Sequence, residues 1–129
     1  MQVTKSTGVG LACRIYRLAA IYGIVVLAPL YFAETLAAGR GTPFTHPETL
    51  YGFVGTALAM QIVYWTIGGD PLRYRALMPI SVLAKLSFAV PCAILFAQGR
   101  LDALPFALSQ VDTLLAVAFF WAWRSTRAA

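Results

Sequence analysis

Four stretches of about 20 residues with almost no charge constrain this chain more than any other feature of its sequence. They run over residues 15–33, 49–69, 76–99 and 103–123. A helix needs about 20 mostly apolar residues to cross the hydrocarbon core of a bilayer, whereas a spanning strand needs about ten residues of alternating polarity. Because the connections are also short, the sequence predicts an all-α membrane protein, with residues 1–129 forming a single antiparallel four-transmembrane-helix bundle.

The composition excludes several classes of protein. Of the 129 residues, 60% are hydrophobic and 12% are charged, whereas about a quarter of the residues in a soluble domain are charged. A body this small has too much surface to cover with so few polar residues, so we exclude a soluble enzyme and a disordered protein. The net charge of +5 reflects membrane topology rather than nucleic-acid binding, because the basic residues cluster between the apolar stretches.

Lysine and arginine residues predict the orientation in the membrane. One side of the predicted bundle holds seven of them: Lys5, Arg14, Arg17, Arg73, Arg75, Arg124 and Arg127. The other side holds Arg40 and Arg100, so the positive-inside rule places both termini in the cytoplasm. The alternative, in which residues 1–38 are a cleaved signal peptide, is disfavoured by the long basic region and by the bulky Leu36 near the cleavage position.

Each of the last two stretches contains a single charge, Lys85 or Asp112. Lys85 lies 9 residues from Ala76 and Asp112 lies 11 residues from Trp123, a difference in depth of about 3 Å at the rise of an α-helix. Since the two helices are sequence neighbours, we expect these side chains to form a buried pair near the midplane.

Further polar residues are predicted at or near this depth. Helical spacing places Ser81 on the face of Lys85 and Ser109 on the face of Asp112. Gln61 and Tyr22 lie at a similar depth in the first two helices. The group is either a site for a head group, a proton or a small ligand, or a structural ion pair that fixes the helix register.

A second polar cluster is expected at the outer surface, from Glu34, Arg40, His46 and Glu48. Its spacing matches no metal-binding motif, and Glu48 fits a capping box with Thr45, so we predict a solvated loop and no metal.

Two further features predict how the helices pack. Pro29, Pro91 and Pro105 lie in the outer halves of their helices, where prolines bend a helix and allow the bundle to splay open around a cavity. A set of small residues in the second helix allows close packing against a neighbour: Gly52, Gly55, Thr56 and Ala59.

The runs His46–Gly55, Asp70–Met78 and Ala84–Phe88, followed by Asp112, resemble the small DoxX-like four-helix membrane proteins of bacteria. Many of those proteins have Glu-Lys where this chain has Ala84-Lys85. Most have no known function. The member that gives the family its name is associated with a quinone-linked oxidoreductase as a small membrane subunit, and similar bundles bind sterol-like ligands. The resemblance therefore implies a bacterial cytoplasmic membrane and a quinone as cofactor; the residues themselves predict no cofactor.

Three functions fit these observations. The first is a non-catalytic accessory subunit of a larger membrane complex, since the chain has short loops and no catalytic motif. The second is a bundle that binds or processes a hydrophobic small molecule, such as a quinone, an isoprenoid or a sterol-like lipid. The third is an oligomeric transporter or proton pathway. In each case we expect the chain to lie in a lipid bilayer. A membrane protein or a second copy of the chain is a further expected partner.

Overall fold

The computed structural model describes residues 2–41 and 44–127, with side chains from Thr7 onward. Within these residues every regular element is helical. The α-helices are α1 (Gln2–Leu27), α2 (Ala33–Gly39), α3 (Pro47–Gly69), α4 (Met78–Ala97) and α5 (Ala103–Ser125). Short 3₁₀ helices at Ala28–Phe32 and Arg75–Leu77 join α1 to α2 and lead into α4.

In the described part of the chain, four helical spans are long and apolar enough to cross a membrane: Thr7–Gly39, Pro47–Gly69, Arg75–Ala97 and Ala103–Ser125. Each long helix also turns large apolar side chains outward. Leu18, Ile62, Leu83 and Leu114, one on each of α1, α3, α4 and α5, are 66% to 70% exposed. Such a surface suits lipid, and the prediction of helices with four segments long and apolar enough to span a membrane is confirmed.

The first helical segment is longer than the predicted residues 15–33. It begins at Gln2 and continues through the 3₁₀ helix into α2, which ends at Gly39. Apolarity marks only the part of a helix that fits in hydrocarbon, whereas helical hydrogen bonding continues through polar residues. Pro29 stands at the start of the 3₁₀ helix, where its missing N–H interrupts the α-helical pattern.

The third predicted segment, residues 76–99, is shorter in the structure. The backbone N–H of Arg73 donates a hydrogen bond to Asp70 Oδ1 at 3.2 Å, which fixes a turn after α3. The chain then passes through the 3₁₀ helix Arg75–Leu77 before α4 begins at Met78 and ends at Ala97. The other two segments differ from their predicted bounds by no more than two residues at either end.

The helices contact one another in a definite pattern. α1 packs against α3 and α5, and α4 packs against α5. A Cβ atom at Gly8 would lie 2.9 Å from the backbone oxygen of Ser125, so the beginning of α1 lies against the end of α5. A Cβ atom at Gly68 would lie 2.7 Å from Cγ of Arg17, so α1 also approaches the end of α3 closely. The predicted close packing at Gly52 is wrong, because a Cβ there would meet nothing within 4 Å.

Large buried side chains concentrate in one half of the structure, which we call the packed half. Its core consists of Ala12, Tyr16, Ala19, Ala20, Tyr64, Ile67, Met78, Phe119 and Ala122. The rings of Tyr16 and Phe119 stack with centroids 4.2 Å apart, and Tyr64 lies 5.0 Å from Phe119. Three small alanines on α1 allow these rings to come between the helices.

The glycine at the α1–α3 contact gives a stability test. Gly68→Ala is expected to lower the free energy of unfolding by about 1–3 kcal/mol, because the added methyl overlaps Arg17 and approaches the backbone oxygen of Cys13. Thermal unfolding in a mild detergent, followed by circular dichroism, measures the change.

Gly52→Ala on the same helix is the matched control, because its methyl meets no neighbour. This variant should unfold at or above the wild-type temperature, since alanine favours helix by about 1 kcal/mol. Equal melting temperatures for the two variants would contradict the close approach at Gly68.

Candidate functional site

An ion pair joins α4 and α5 in the interior. Lys85 Nζ donates a hydrogen bond to Asp112 Oδ1 at 3.0 Å, with the two side chains only 9% and 19% exposed. The structure thus brings together the two charges that the sequence places at matching depth. A charge at the centre of a membrane helix costs roughly 2.5–3.5 kcal/mol on insertion scales, and the partner's opposite charge offsets part of that cost.

Tyr64 is a member of this group that sequence reasoning missed. The Lys85 ammonium lies 5.4 Å from the centroid of the Tyr64 ring, within the range of a cation–π interaction. The sequence carried a signal for this contact, because Tyr64 follows Gln61 by three residues and therefore shares its helix face. The depth comparison did not select Tyr64, because it lies three residues nearer the end of α3 than Gln61 does.

A cavity of about 630 Å³ lies beside the ion pair, between α1, α3, α4 and α5. Eight of its lining residues have polar side chains: Tyr22, Thr56, Gln61, Tyr64, Lys85, Ser87, Ser109 and Asp112. The rest of its wall is largely apolar, with Val26, Leu27, Leu30, Met60 and Leu108 among the lining residues. The volume falls inside the range of roughly 300–1,000 Å³ that is typical of small-molecule sites.

Small residues explain why this half of the structure, which we call the open half, is not filled. Gly52, Thr56 and Ala57 on α3 and Ala84 and Ser87 on α4 all line the cavity. In the packed half the rings of Tyr16 and Phe119 stack between the helices. In the open half these small side chains leave space between the larger lining residues. Of the three prolines predicted to bend the helices, Pro105 lines this cavity, while the splaying of the bundle stays a prediction.

Gln61 is almost fully buried, with 2% of its surface exposed. Its Nε2 donates a hydrogen bond to the Ala57 backbone oxygen at 2.8 Å. Its Oε1 accepts no hydrogen bond from any residue that the structure describes and lies against Gly23, where a Cβ atom would overlap the amide. Gly23 therefore makes the space on α1 that Gln61 occupies.

The two predicted serines have different surroundings. Ser81 is buried outside the cavity, and its Oγ donates to the Leu77 backbone oxygen at 2.9 Å. Ser109 lines the cavity; its Oγ donates to the Phe106 backbone oxygen at 2.7 Å and accepts from Gln110 Nε2 at 3.2 Å. The structure therefore brings Tyr22, Gln61, Lys85, Ser109 and Asp112 to one cavity and leaves Ser81 outside it.

The outer polar residues make separate side-chain contacts. Tyr51 Oη donates a hydrogen bond to Glu34 Oε2 at 2.5 Å. His46 Nδ1 lies 3.2 Å from Glu48 Oε1, and the side chains of His46 and Glu48 are both exposed. The capping box predicted from Thr45 and Glu48 is wrong: His46 is the N-cap of α3, and its side chain makes no capping hydrogen bond. Arg40 lies at the exposed end of α2. No group of three or more potential metal ligands is found in ranges 2–41 and 44–127.

No protein-family model, curated protein or solved structure matches this chain. The likeness to DoxX-like proteins therefore stays a prediction that rests on its short residue runs. What the cavity binds has to follow from the chemistry of its own residues.

The ion pair can be tested with single and double substitutions. Lys85→Met or Asp112→Leu alone is expected to lower stability by about 3 kcal/mol, because each leaves one buried charge without its partner. The double variant should recover most of the loss, since neither charge then remains. The measurement is thermal unfolding of the detergent-solubilised protein.

Additive losses in the double variant would contradict an energetic coupling between the two residues. Harmless single substitutions would mean that the 3.0 Å contact contributes nothing to the fold.

Proposed function

We propose that this chain is an integral membrane protein whose antiparallel four-helix bundle binds a neutral, mainly apolar small molecule, with the polar end of the molecule at Lys85 and Asp112. The observation that carries this proposal is the cavity of about 630 Å³ with the buried ion pair in its wall. A structural ion pair needs no free volume beside it, because close packing around the pair would serve helix register better. The free volume favours binding.

The lining residues indicate the chemistry of the occupant. Lys85 and Asp112 compensate each other's charge, so an uncharged molecule is favoured over an ion. An ammonium group has three N–H donors, and a carboxylate has two acceptor oxygens, so the pair retains capacity for a hydroxyl or carbonyl group. The apolar remainder of the wall suits a chain or ring system. Quinones, isoprenoids and sterol-like lipids all have this character.

The hypotheses of an accessory subunit and of an oligomeric transporter stay predictions. Both depend on contacts with other chains, and neither is favoured by the cavity. A quinone-linked role would be compatible with binding, because a quinone is itself a neutral molecule with polar carbonyls on an apolar body.

We place the packed half of the bundle, with both termini, on the cytoplasmic side. Basic and aromatic side chains pair at this end. The Arg17 guanidinium lies 4.0 Å from the centre of the Trp65 ring, and Arg75 lies 5.2 Å from that of Trp123. Such pairs are typical of an interface between membrane and water, and the excess of positive charge favours the cytoplasm. The side chain of Lys5, which was assigned to the same side, lies outside the described residues.

Reporter fusions test this orientation. Green fluorescent protein fused after Arg75 or Arg127 should fluoresce in bacterial cells, because these positions are expected in the cytoplasm. Alkaline phosphatase fused after Arg40 or Arg100 should be active, since it folds only outside the cytoplasm. Active phosphatase after Arg75 would reverse the proposed orientation.

A photoreactive ligand tests the binding function. The probe is a long-chain alcohol bearing a diazirine group, added to the protein reconstituted in phospholipid vesicles. Illumination should label wild-type protein. An excess of a short-chain ubiquinone, an isoprenoid alcohol or a sterol should reduce this labelling if that compound occupies the cavity. Thr56→Phe, which places a ring in the cavity, should reduce labelling to background.

Ala59→Phe is the matched control, because Ala59 is exposed on the same helix and does not line the cavity. It should be labelled like wild type. If wild type is labelled no more than Thr56→Phe, the cavity does not bind the probe and the proposed function is wrong.

A further inference from the structure

We infer that the occupant reaches the cavity from within the bilayer, through the gap between α3 and α4, and that Phe53 and Phe88 set the size of molecule that passes. This inference rests on the proposed binding function and adds to it a route and a pair of selecting residues. It also restricts the ligand class to molecules that dissolve in lipid.

The first observation is the arrangement of the helices. Among the described helices, α3 packs against α1 and α4 packs against α5, and α1 packs against α5. The pair α3 and α4 is not among the closely packed ones, so the circle of helices around the cavity is open on that side. A gap between two apolar helices faces lipid rather than water.

The second observation is the exposure of residues that flank the gap. Gly52 and Thr56 on α3 and Ser87 on α4 line the cavity and are exposed. Val26 on α1 and Leu108 on α5 are also exposed lining residues, but those two helices pack against each other, whereas α3 and α4 do not pack closely. Gly52, Thr56 and Ser87 are all small, so the backbone edges of the opening are left uncovered.

The third observation is a pair of rings across the gap. The centroids of Phe53 on α3 and Phe88 on α4 lie 5.4 Å apart with an angle of 32° between the rings. Both rings line the cavity and are 41% and 39% exposed. An aromatic contact of this kind is weak compared with a packed helix interface, so a change of side-chain rotamer can open it without moving a helix.

The position of the pair relative to the polar group gives the direction of passage. Phe88 follows Lys85 by three residues and therefore lies about one turn along the same face of α4. The Lys85 ammonium in turn lies over the Tyr64 ring of α3, which closes the gap at the polar end of the cavity. A molecule that passes between the phenylalanines thus meets the ion pair with its leading end, and its polar group goes in first.

The rate of ligand release tests this route. Wild-type protein in vesicles is loaded with the diazirine-bearing alcohol and mixed with an excess of probe-free vesicles, and samples are illuminated at intervals. The Phe53→Ala/Phe88→Ala double variant should lose labelling about tenfold faster than wild type, because the ring contact no longer closes the opening. Phe53→Trp should lose it more slowly.

Phe32→Ala is the matched control, because Phe32 is 67% exposed and does not line the cavity. Its release rate should equal that of wild type. The double variant Phe53→Leu/Phe88→Leu keeps apolar volume at the opening and serves if the alanine variant does not fold; it should also release the probe faster, since it removes the ring contact.

The outcomes separate the route from the binding function. Suppose that wild-type protein is labelled more strongly than the Thr56→Phe variant, but wild type and both double variants release the probe at equal rates. This result would overturn the route while leaving binding in place. Labelling of wild type at the Thr56→Phe level would reject binding and the route together. Faster release in the double variants alone, with Phe32→Ala unchanged, is the result that supports passage between α3 and α4.

Discussion

The ring cluster of Tyr16, Tyr64 and Phe119 is the interaction on which the rest of the structure depends. Lipid tails are as apolar as leucine, so helices in a bilayer gain little from burying apolar surface and associate through close packing instead. Here α1, α3 and α5 meet at these three rings. Alanines and glycines on α1 bring the helix backbones close enough for the rings to fill the space between them.

The open half is less completely filled, because small residues of α3 and α4 alternate with the larger side chains that line its interior. Small residues on α3 and α4 face each other across a cavity of about 630 Å³. Lys85 and Asp112 lie in the cavity wall, where burying either charge alone would cost several kilocalories per mole. The ion pair and the Tyr64 ring beneath Lys85 provide a polar end in an otherwise apolar space, and this contrast is the basis for the proposed ligand.

The parts of the structure that depend on local sequence could be predicted. Uncharged stretches located four helices, and counting residues from the helix ends located Lys85 and Asp112 at one depth. The long first segment was missed because its ends, from Gln2 and up to Gly39, are helical without being uniformly apolar. The capping box predicted from Thr45 and Glu48 is wrong, because α3 has His46 as its N-cap. A capping box is recognised from residue types, whereas the residue at which a helix begins depends on backbone angles.

Other features depend on which helix faces which, and residue spacing does not contain that information. Small residues at Gly52 and Gly68 look equivalent in sequence, yet Gly68 lies against α1 and Gly52 against free space. Gly23 could not be linked to Gln61 before α1 was known to lie beside α3, and Glu34 contacts Tyr51 rather than the other outer charges.

The sequence by itself determined that this chain forms apolar helices of membrane-spanning length, and that its two interior charges lie at one level. Both follow from properties of single helices: side-chain polarity and a fixed rise per residue. Only the tertiary structure decided that one half is packed and the other open, and that Phe53 meets Phe88 across the least closely packed side. Those outcomes depend on how side-chain volumes from different helices add up in the space that the helices enclose.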